Sequence, residues 1–313
     1  MLCFGLIGNS ELHQLVIMKR KISALFVFAV VFLTACQNQT NTQTAVSGST
    51  EIVVDESLAP IVQDQYDVFS NSYTSAKIKL IFQPENKLLK TFLSNQINIA
   101  IMTRKLLPQE AKIFEAKNIK IRYNRFAIDA IALVANKKTV DSTITVQELV
   151  ETLKGKSKRV KLVFDNANSS TVRYLKELAG VNELPSTGIY ALNTNAEVID
   201  YVHNNTGALG VIGVNWIKSP GADIEELVKD IKILKVKNLP GKPGSDAFYK
   251  PSQSNLALGV YPLSRELYII NCQGTAGLGT GFASFLASER GQRIVLKSGL
   301  LPDSLPSREI LIR

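Results

Sequence analysis

Histidine and cysteine are scarce in this chain of 313 residues, which holds two histidines, His13 and His203, and three cysteines, Cys3, Cys36 and Cys272. So few ligands, so widely separated, exclude a zinc site of clustered cysteines and a disulfide framework, and no metal site is assigned. No histidine stands near an exposed serine motif, so a nucleophile and its base cannot be assembled and no catalytic residue is assigned. The apolar run near the N-terminus, Ile22 to Leu33, is too short to span about 30 Å of hydrocarbon. The formal net charge is +9, but lysines and arginines are scattered among acids and form no dense basic stretch. Nucleic acid is therefore not an expected partner.

What is present begins with Met18 to Cys36. Lys19, Arg20 and Lys21 precede the apolar run, and Leu33-Thr34-Ala35-Cys36 closes it, the order of an export signal. Those last four residues resemble a lipobox, so cleavage before Cys36 and lipidation of that cysteine are expected, with the chain held on the periplasmic side of a membrane. A short transmembrane anchor is the alternative. On this reading residues 1–17 lie upstream of the true start, 18–35 are the signal peptide, and 36–50, rich in Gln, Asn, Thr and Ser, form a flexible tether. Cys272 is left as a small buried hydrophobe.

From Glu51 onward, short β-type runs alternate with amphipathic helical stretches, the pattern of an α/β protein. Strands are expected at Ile52–Val54, Lys77–Phe82, Ile99–Met102, Ile121–Arg125, Ala130–Ala135, Lys161–Phe164, Ala208–Ile212, Ile231–Val236 and Leu267–Ile270. Helices are expected between them, including one opened by Pro108 with Glu110 in its first turn. The composition changes near Asn136, and the last stretch is too small to fold alone. The economical arrangement is two α/β lobes joined by chain crossings, residues 51–135 with 250–313 in one and 136–249 in the other. A ligand is expected between them.

Capture of an anion needs freed backbone N–H groups at helix starts, hydroxyls that converge, and a cation or a matched acceptor. Three segments meet that need: Asp55 to Pro60, where Ser57 can cap a helix with Pro60 in its first turn; Met102 to Lys105, at a strand end; and Asn168 to Thr171, entering a helix. Each is also compatible with an ordinary cap or loop. The glycines Gly274, Gly277, Gly279 and Gly281 invite a dinucleotide reading that fails on spacing, because Phe282 stands where the third glycine belongs; close backbone packing or a flexible loop is expected instead.

Taken in order, several stretches resemble the substrate-binding component of phosphate ABC transporters, the PstS family, in its short lipoprotein form. They are Ser57-Leu58-Ala59-Pro60, Ile99 to Leu106, Phe126 to Ala132, Ser169-Ser170-Thr171, Gly207 to Gly210, Tyr261-Pro262-Leu263-Ser264-Arg265 with Tyr268, and Gly291 through Pro302. The resemblance implies a periplasmic-binding-protein type II fold, no cofactor, a monomer that is not an enzyme, and phosphate or a related oxyanion delivered to a transporter permease. It implies anion contacts at Ser57, the Leu58 backbone, Thr103, Arg104, Ser169, Ser170 and Thr171, with Glu85, Asp129 and Arg173 as further candidates. Two positions depart from the family pattern: Glu85 stands where a serine is expected, and Asp165 stands where an arginine is expected four residues before Ser169. An unpaired carboxylate about 4 Å from an anion costs on the order of several kcal/mol at intermediate dielectric. Either Arg104 and Arg173 offset these acids, or Glu85 accepts a proton of the guest, or the guest differs. A sensor or scaffold of the same fold with an altered anion site, and a phosphatase, are the rival readings.

Overall fold

The structure is a computed structural model that describes residues 43–157 and 159–304. The expected signal peptide, Cys36 and residues 37–42 of the expected tether lie outside the described residues.

The chain builds β1 (Gly48–Asp55), α1 (Ala59–Ser72), β2 (Ala76–Gln83), α2 (Glu85–Leu93), β3 (Ile99–Met102) and α3 (Pro108–Glu115) before the long β4 (Arg122–Asn136). Next come β5 (Thr143–Thr145), α4 (Val146–Leu153), β6 (Lys161–Phe164), α5 (Ser170–Ala179), β7 (Ile189–Ala191), α6 (Asn195–Asn204) and β8 (Ala208–Gly213). Two short helices, α7 (Asn215–Lys218) and α8 (Glu225–Val228), lead to β9 (Ile231–Ile233) and β10 (Lys235–Lys237). The chain ends with α9 (Gln253–Ala257), β11 (Ser264–Asn271), α10 (Leu278–Ala287), α11 (Glu289–Lys297) and β12 (Leu301–Pro302).

The main sheet runs β2-β1-β3-β11-β4-β8-β6-β7, with β9 and β12 also paired to β4. β1 is parallel to β2 and β3, β6 is parallel to β7 and β8, and β11 lies antiparallel between β3 and β4. Strand β4 belongs to both halves: its first part pairs with β11 and its last part with β8. Two strands are expected here, Ile121–Arg125 and Ala130–Ala135, yet β11 pairs through the residues between them and keeps the backbone extended as one strand. The opposite happens at Ile231–Val236, where Leu234 N–H bonds to Leu133 O and Lys235 N–H to Ser142 O. One apolar run thereby serves two partners and divides into β9 and β10.

Strands of the first half are apolar on both faces because helices cover both. Ile52 and Val54, Ile99 and Ile101, and Leu267 and Ile269 pack with Phe69, Phe282 and Leu286 of α1 and α10. The alternate residues Val53, Ala100, Met102 and Ile270 pack with Leu88, Phe92 and Phe114 of α2 and α3, together with buried Cys272. Burial pushes the Cys272 thiol up to about 12, in keeping with a packing role. The second half closes over its own core, in which Leu162, Phe164 and Val211 meet Leu149, Leu175, Val198 and Val202.

Glycines mark two close approaches. A Cβ on Gly281 would lie 1.7 Å from Ala45 O, so the chain ahead of β1 lies directly on α10, which accounts for part of the glycine cluster by close packing. Strand β1 starts at Gly48, so residues 48–50 are strand although their polar composition reads as tether. A Cβ on Gly210 would lie 2.8 Å from Val202 Cγ2 and 2.9 Å from Val134 Cγ2 and Val198 Cγ1. Replacing Gly210 by alanine is expected to lower unfolding stability by about 1–3 kcal/mol through overpacking, read by urea denaturation. An unchanged midpoint would contradict this account of how α6 seats on β8.

Candidate functional site

Parallel strands direct their carboxyl ends to one side of a sheet, and loops leaving those ends are favoured ligand positions. Here β1, β3, β6 and β8 end at Asp55, Met102, Phe164 and Gly213, and the residues that follow meet between the halves. Asp55 Oδ1 accepts the N–H of Ser57 at 3.0 Å and opens a 3-10 turn, Glu56–Leu58, that buries Ser57 and Leu58. Ser169 caps α5 by accepting the N–H of Val172 at 3.2 Å, which places Ser170 and Thr171, both buried, in its first turn.

These turns meet at Arg265. The antiparallel register of β11 and β4 sets Arg265 opposite Asp129, and opposed side chains share a face. The pair is buried, with Nε donating to Asp129 Oδ2 at 2.9 Å and Nη2 lying 2.8 Å from the same oxygen. The other N–H groups go to hydroxyls: Nη2 to Ser57 Oγ at 3.1 Å, and Nη1 to Ser170 Oγ at 3.0 Å and Thr171 Oγ1 at 3.4 Å. Ser57 Oγ and Ser170 Oγ, from opposite halves, stand 3.2 Å apart. A guanidinium has five N–H donors and no acceptor, and four hydrogen bonds with the close Nη2–Asp129 contact engage every nitrogen of Arg265. Each hydroxyl that accepts from Arg265 keeps its own proton. The Ser57–Ser170 contact takes one of these protons, and the Asp55 carboxyl draws on the same two hydroxyls.

Acids crowd this centre. Burial pushes the Asp55 carboxyl up to about 6, against the pull of Arg265, and it raises Asp129 and Asp165 as well. Asp165 accepts Ser169 Oγ–H at 2.6 Å and Asn195 Nδ2–H at 3.2 Å, so it holds the cap of α5 in place.

The mouth of the cleft has a second charge cluster. Glu85, the first residue of α2 and nearly fully buried, accepts Arg104 Nε–H at 2.8 Å and Arg173 Nε–H at 2.8 and 3.0 Å. Arg104 also forks onto Glu110 at 2.8 and 2.9 Å. Burial opposes ionisation of Glu110, but those two bonds outweigh it and hold its carboxyl below the usual range. Arg173 Nη2 donates to Thr103 Oγ1 at 3.2 Å. Beside them, Asn86 N–H donates to Asn168 O at 3.2 Å and Asn86 Nδ2–H to Asn168 Oδ1 at 2.9 Å, joining the halves. A cavity of about 530 Å³ opens here, lined by Asn86, Asn168, Ser169, Arg173 and Lys176.

The residues expected to bind an anion thus fall into two groups. Ser57, Ser170, Thr171 and Asp129 contact Arg265, whereas Thr103, Arg104, Arg173 and Glu85 form the mouth, where Ser169 also lines the cavity; Leu58 is buried in the turn beside Ser57. Asp165 is compensated by hydrogen bonds rather than by Arg104 or Arg173, both of which bind Glu85. Sequence reasoning assigned no role to Arg265, whose hydroxyl partners lie 94 to 208 positions away in the chain. Trp216, which donates Nε1–H to Ser57 O at 3.0 Å, was invisible for the same reason.

An α/β fold with a hydroxyl-lined centre between two halves defines a binding protein of the clamp type. Residues 39–290 match the family model described as the PBP superfamily domain, and the chain belongs to that family. It is 26% identical over 298 residues to phosphate-binding protein PstS of Pseudomonas aeruginosa, covering 84% of this chain and 85% of that one. Its fold is similar to that of a phosphate ABC transporter substrate-binding protein from Clostridium perfringens, solved with bound phosphate, with a TM-score of 0.68. That likeness covers 82% of this chain and all of that one at 18% identity. An ABC-type phosphate transport receptor from Vibrio cholerae gives a TM-score of 0.61 at 19% identity over the same shares. The fold is accordingly the type II periplasmic-binding-protein arrangement.

A carboxyl held above its ordinary value favours the protonated folded state. The advantage from Asp55 is full below 3.8 and lost as pH rises through about 6. Asp55→Asn is therefore expected to gain stability relative to the unaltered protein across that window, reaching about 3 kcal/mol near neutral pH. Urea unfolding of both proteins from about pH 4 to 7 measures this, and a pH-independent difference would contradict it.

Proposed function

We propose that this chain is a solute-binding protein that captures phosphate or a closely related oxyanion between its two halves and delivers it to an ABC transporter permease. Residues 51–135 with 250–313, of which 305–313 lie outside the described residues, act as one lobe and 136–249 as the other, joined where β4 passes from the first half of the sheet to the second and where the segment before β11 returns. That return is fastened by Tyr261 O–H donating to Ile131 O at 2.7 Å and Ile131 N–H to Leu263 O at 2.8 Å.

The observation that carries the reading is the convergence of Ser57, Ser170 and Thr171, from two halves, on one buried guanidinium. Arg265 orients these hydroxyls and supplies positive potential from behind them, while Ser57, the Leu58 backbone, Thr103, Ser170 and Thr171 face the guest; Ser169, expected among the contacts, is committed to Asp165 and positions the start of α5. No covalent step is needed, since capture is desolvation of an anion among preorganised donors. The similarity to phosphate-binding proteins along most of the chain supports phosphate as the anion. Monomeric function and a lipid on Cys36 that tethers the domain to the envelope belong to the same proposal. No helix among the described residues is long and apolar enough to cross a membrane.

Isothermal titration of the purified protein with phosphate, sulfate and molybdate tests the reading. Micromolar binding, about −8 kcal/mol, is expected for phosphate, and Ser170→Ala and Thr171→Ala are each expected to weaken it by about tenfold or more. Silence toward all three anions would overturn the proposal and favour a sensor or scaffold.

A further inference from the structure

The mouth contains a negative charge that belongs to the protein itself. Glu85 lies in the first half, at the start of α2, and its side chain is 2% exposed. Both of its oxygens receive the Nε–H of Arg173, which comes from α5 in the second half, and Oε1 also receives Arg104. The remaining nitrogens of these arginines are engaged as well: Arg104 binds Glu110 and Lys105 O, and Arg173 binds Glu177 at 2.9 Å and Thr103. An oxyanion approaching this part of the cleft meets guanidinium groups that already hold a carboxylate.

We propose that Glu85 is a built-in surrogate for the guest anion, which bridges the two halves in the absence of ligand and must release Arg173 before an oxyanion can engage that arginine. Glu85 therefore sets both the affinity of the site and its resting conformation. The adjoining Asn86–Asn168 contacts act in the same direction, because they cross the same gap one residue further along. Glu85 holds Arg173 through its Nε–H, shared between the two carboxylate oxygens, a charged donor that an oxygen of a tetrahedral oxyanion accepts equally well. The two ions compete for the same donors. A resting clamp held by an internal ion pair needs no ligand to bring its halves together, so guest binding exchanges one anion for another. This inference rests on the phosphate-capture reading for its affinity arm only.

The test combines distance and affinity. Spin labels on cysteines introduced by Lys90→Cys and Asn182→Cys, both exposed positions on opposite sides of the mouth, report its width by pulsed electron resonance. With Glu85 present, the ligand-free protein is expected to show one short distance that phosphate leaves unchanged. Glu85→Gln is expected to lengthen it, to restore the short distance when phosphate is added, and to bind phosphate about tenfold more tightly, the scale of one charge-assisted hydrogen bond relieved of competition. Glu85→Ser, which removes the planar group altogether, carries the same expectation should the carboxamide imitate the carboxylate. A ligand-free protein that is already wide, Glu85 variants that leave the mouth narrow, or, where the unaltered protein binds phosphate, variants that bind it equally or less tightly would overturn the proposal. If neither protein binds phosphate but the Glu85 variants still widen the mouth, the surrogate stands and the phosphate reading fails.

Discussion

A buried guanidinium facing a buried carboxylate is costly to form and costlier to break. Placing either ion alone in the interior would incur several kcal/mol of desolvation, and even the pair gains little over a well-packed apolar substitute. The Arg265–Asp129 pair is retained at the crossing of β4 and β11 with nearly no solvent access, and its value lies in what it positions. Asp129 occupies one edge of the guanidinium, which leaves the remaining N–H groups pointing at Ser57, Ser170 and Thr171. Hydroxyl orientation, otherwise free to rotate, is thereby fixed as acceptor toward Arg265 and donor away from it.

This constraint links fold to chemistry. Ser57 comes from the end of β1 in the first half and Ser170 and Thr171 from the start of α5 in the second, so Arg265 can hold all three only when the halves are together. The acids around it reinforce the arrangement: Asp55 opens the turn that presents Ser57, and Asp165 fastens the serine that caps α5. At the mouth the same logic is repeated with the charges reversed, a carboxylate at the centre and arginines around it. The chain therefore surrounds one cleft with two charge centres, an inner cation that orients hydroxyls and an outer anion that occupies arginines.

Much of this was legible in the sequence because local signals sufficed. The alternation of apolar runs gave the α/β class, Pro108 and the Ser169 cap marked helix starts, and Ile99–Met102 and Lys161–Phe164 matched their strands. What was hidden depended on pairing across distance. Residues 126–129 fell between two expected strands until β11 paired through them, and Arg265 stood in a resembling stretch with no role assigned because its partners are remote in the chain. Glu85 and Asp165 stood out as misplaced charges; Arg104 and Arg173, expected to offset them, both hold Glu85, whereas the Asp165 partner Asn195 could be assigned only from the folded chain. The polar composition of residues 48–50 likewise concealed a strand that forms because β2 supplies its hydrogen bonds.

The central claim is geometric: hydroxyls from both halves, held by Arg265, donate to one anion. A crystal structure of the protein grown with phosphate tests it most directly. The account predicts phosphate oxygens within about 2.5–3.0 Å of Ser57, Ser170 or Thr171 hydroxyls, with Arg265 still bound to Asp129 behind them. Phosphate seated away from these hydroxyls, or Ser57 and Ser170 separated and turned outward around it, would contradict the account.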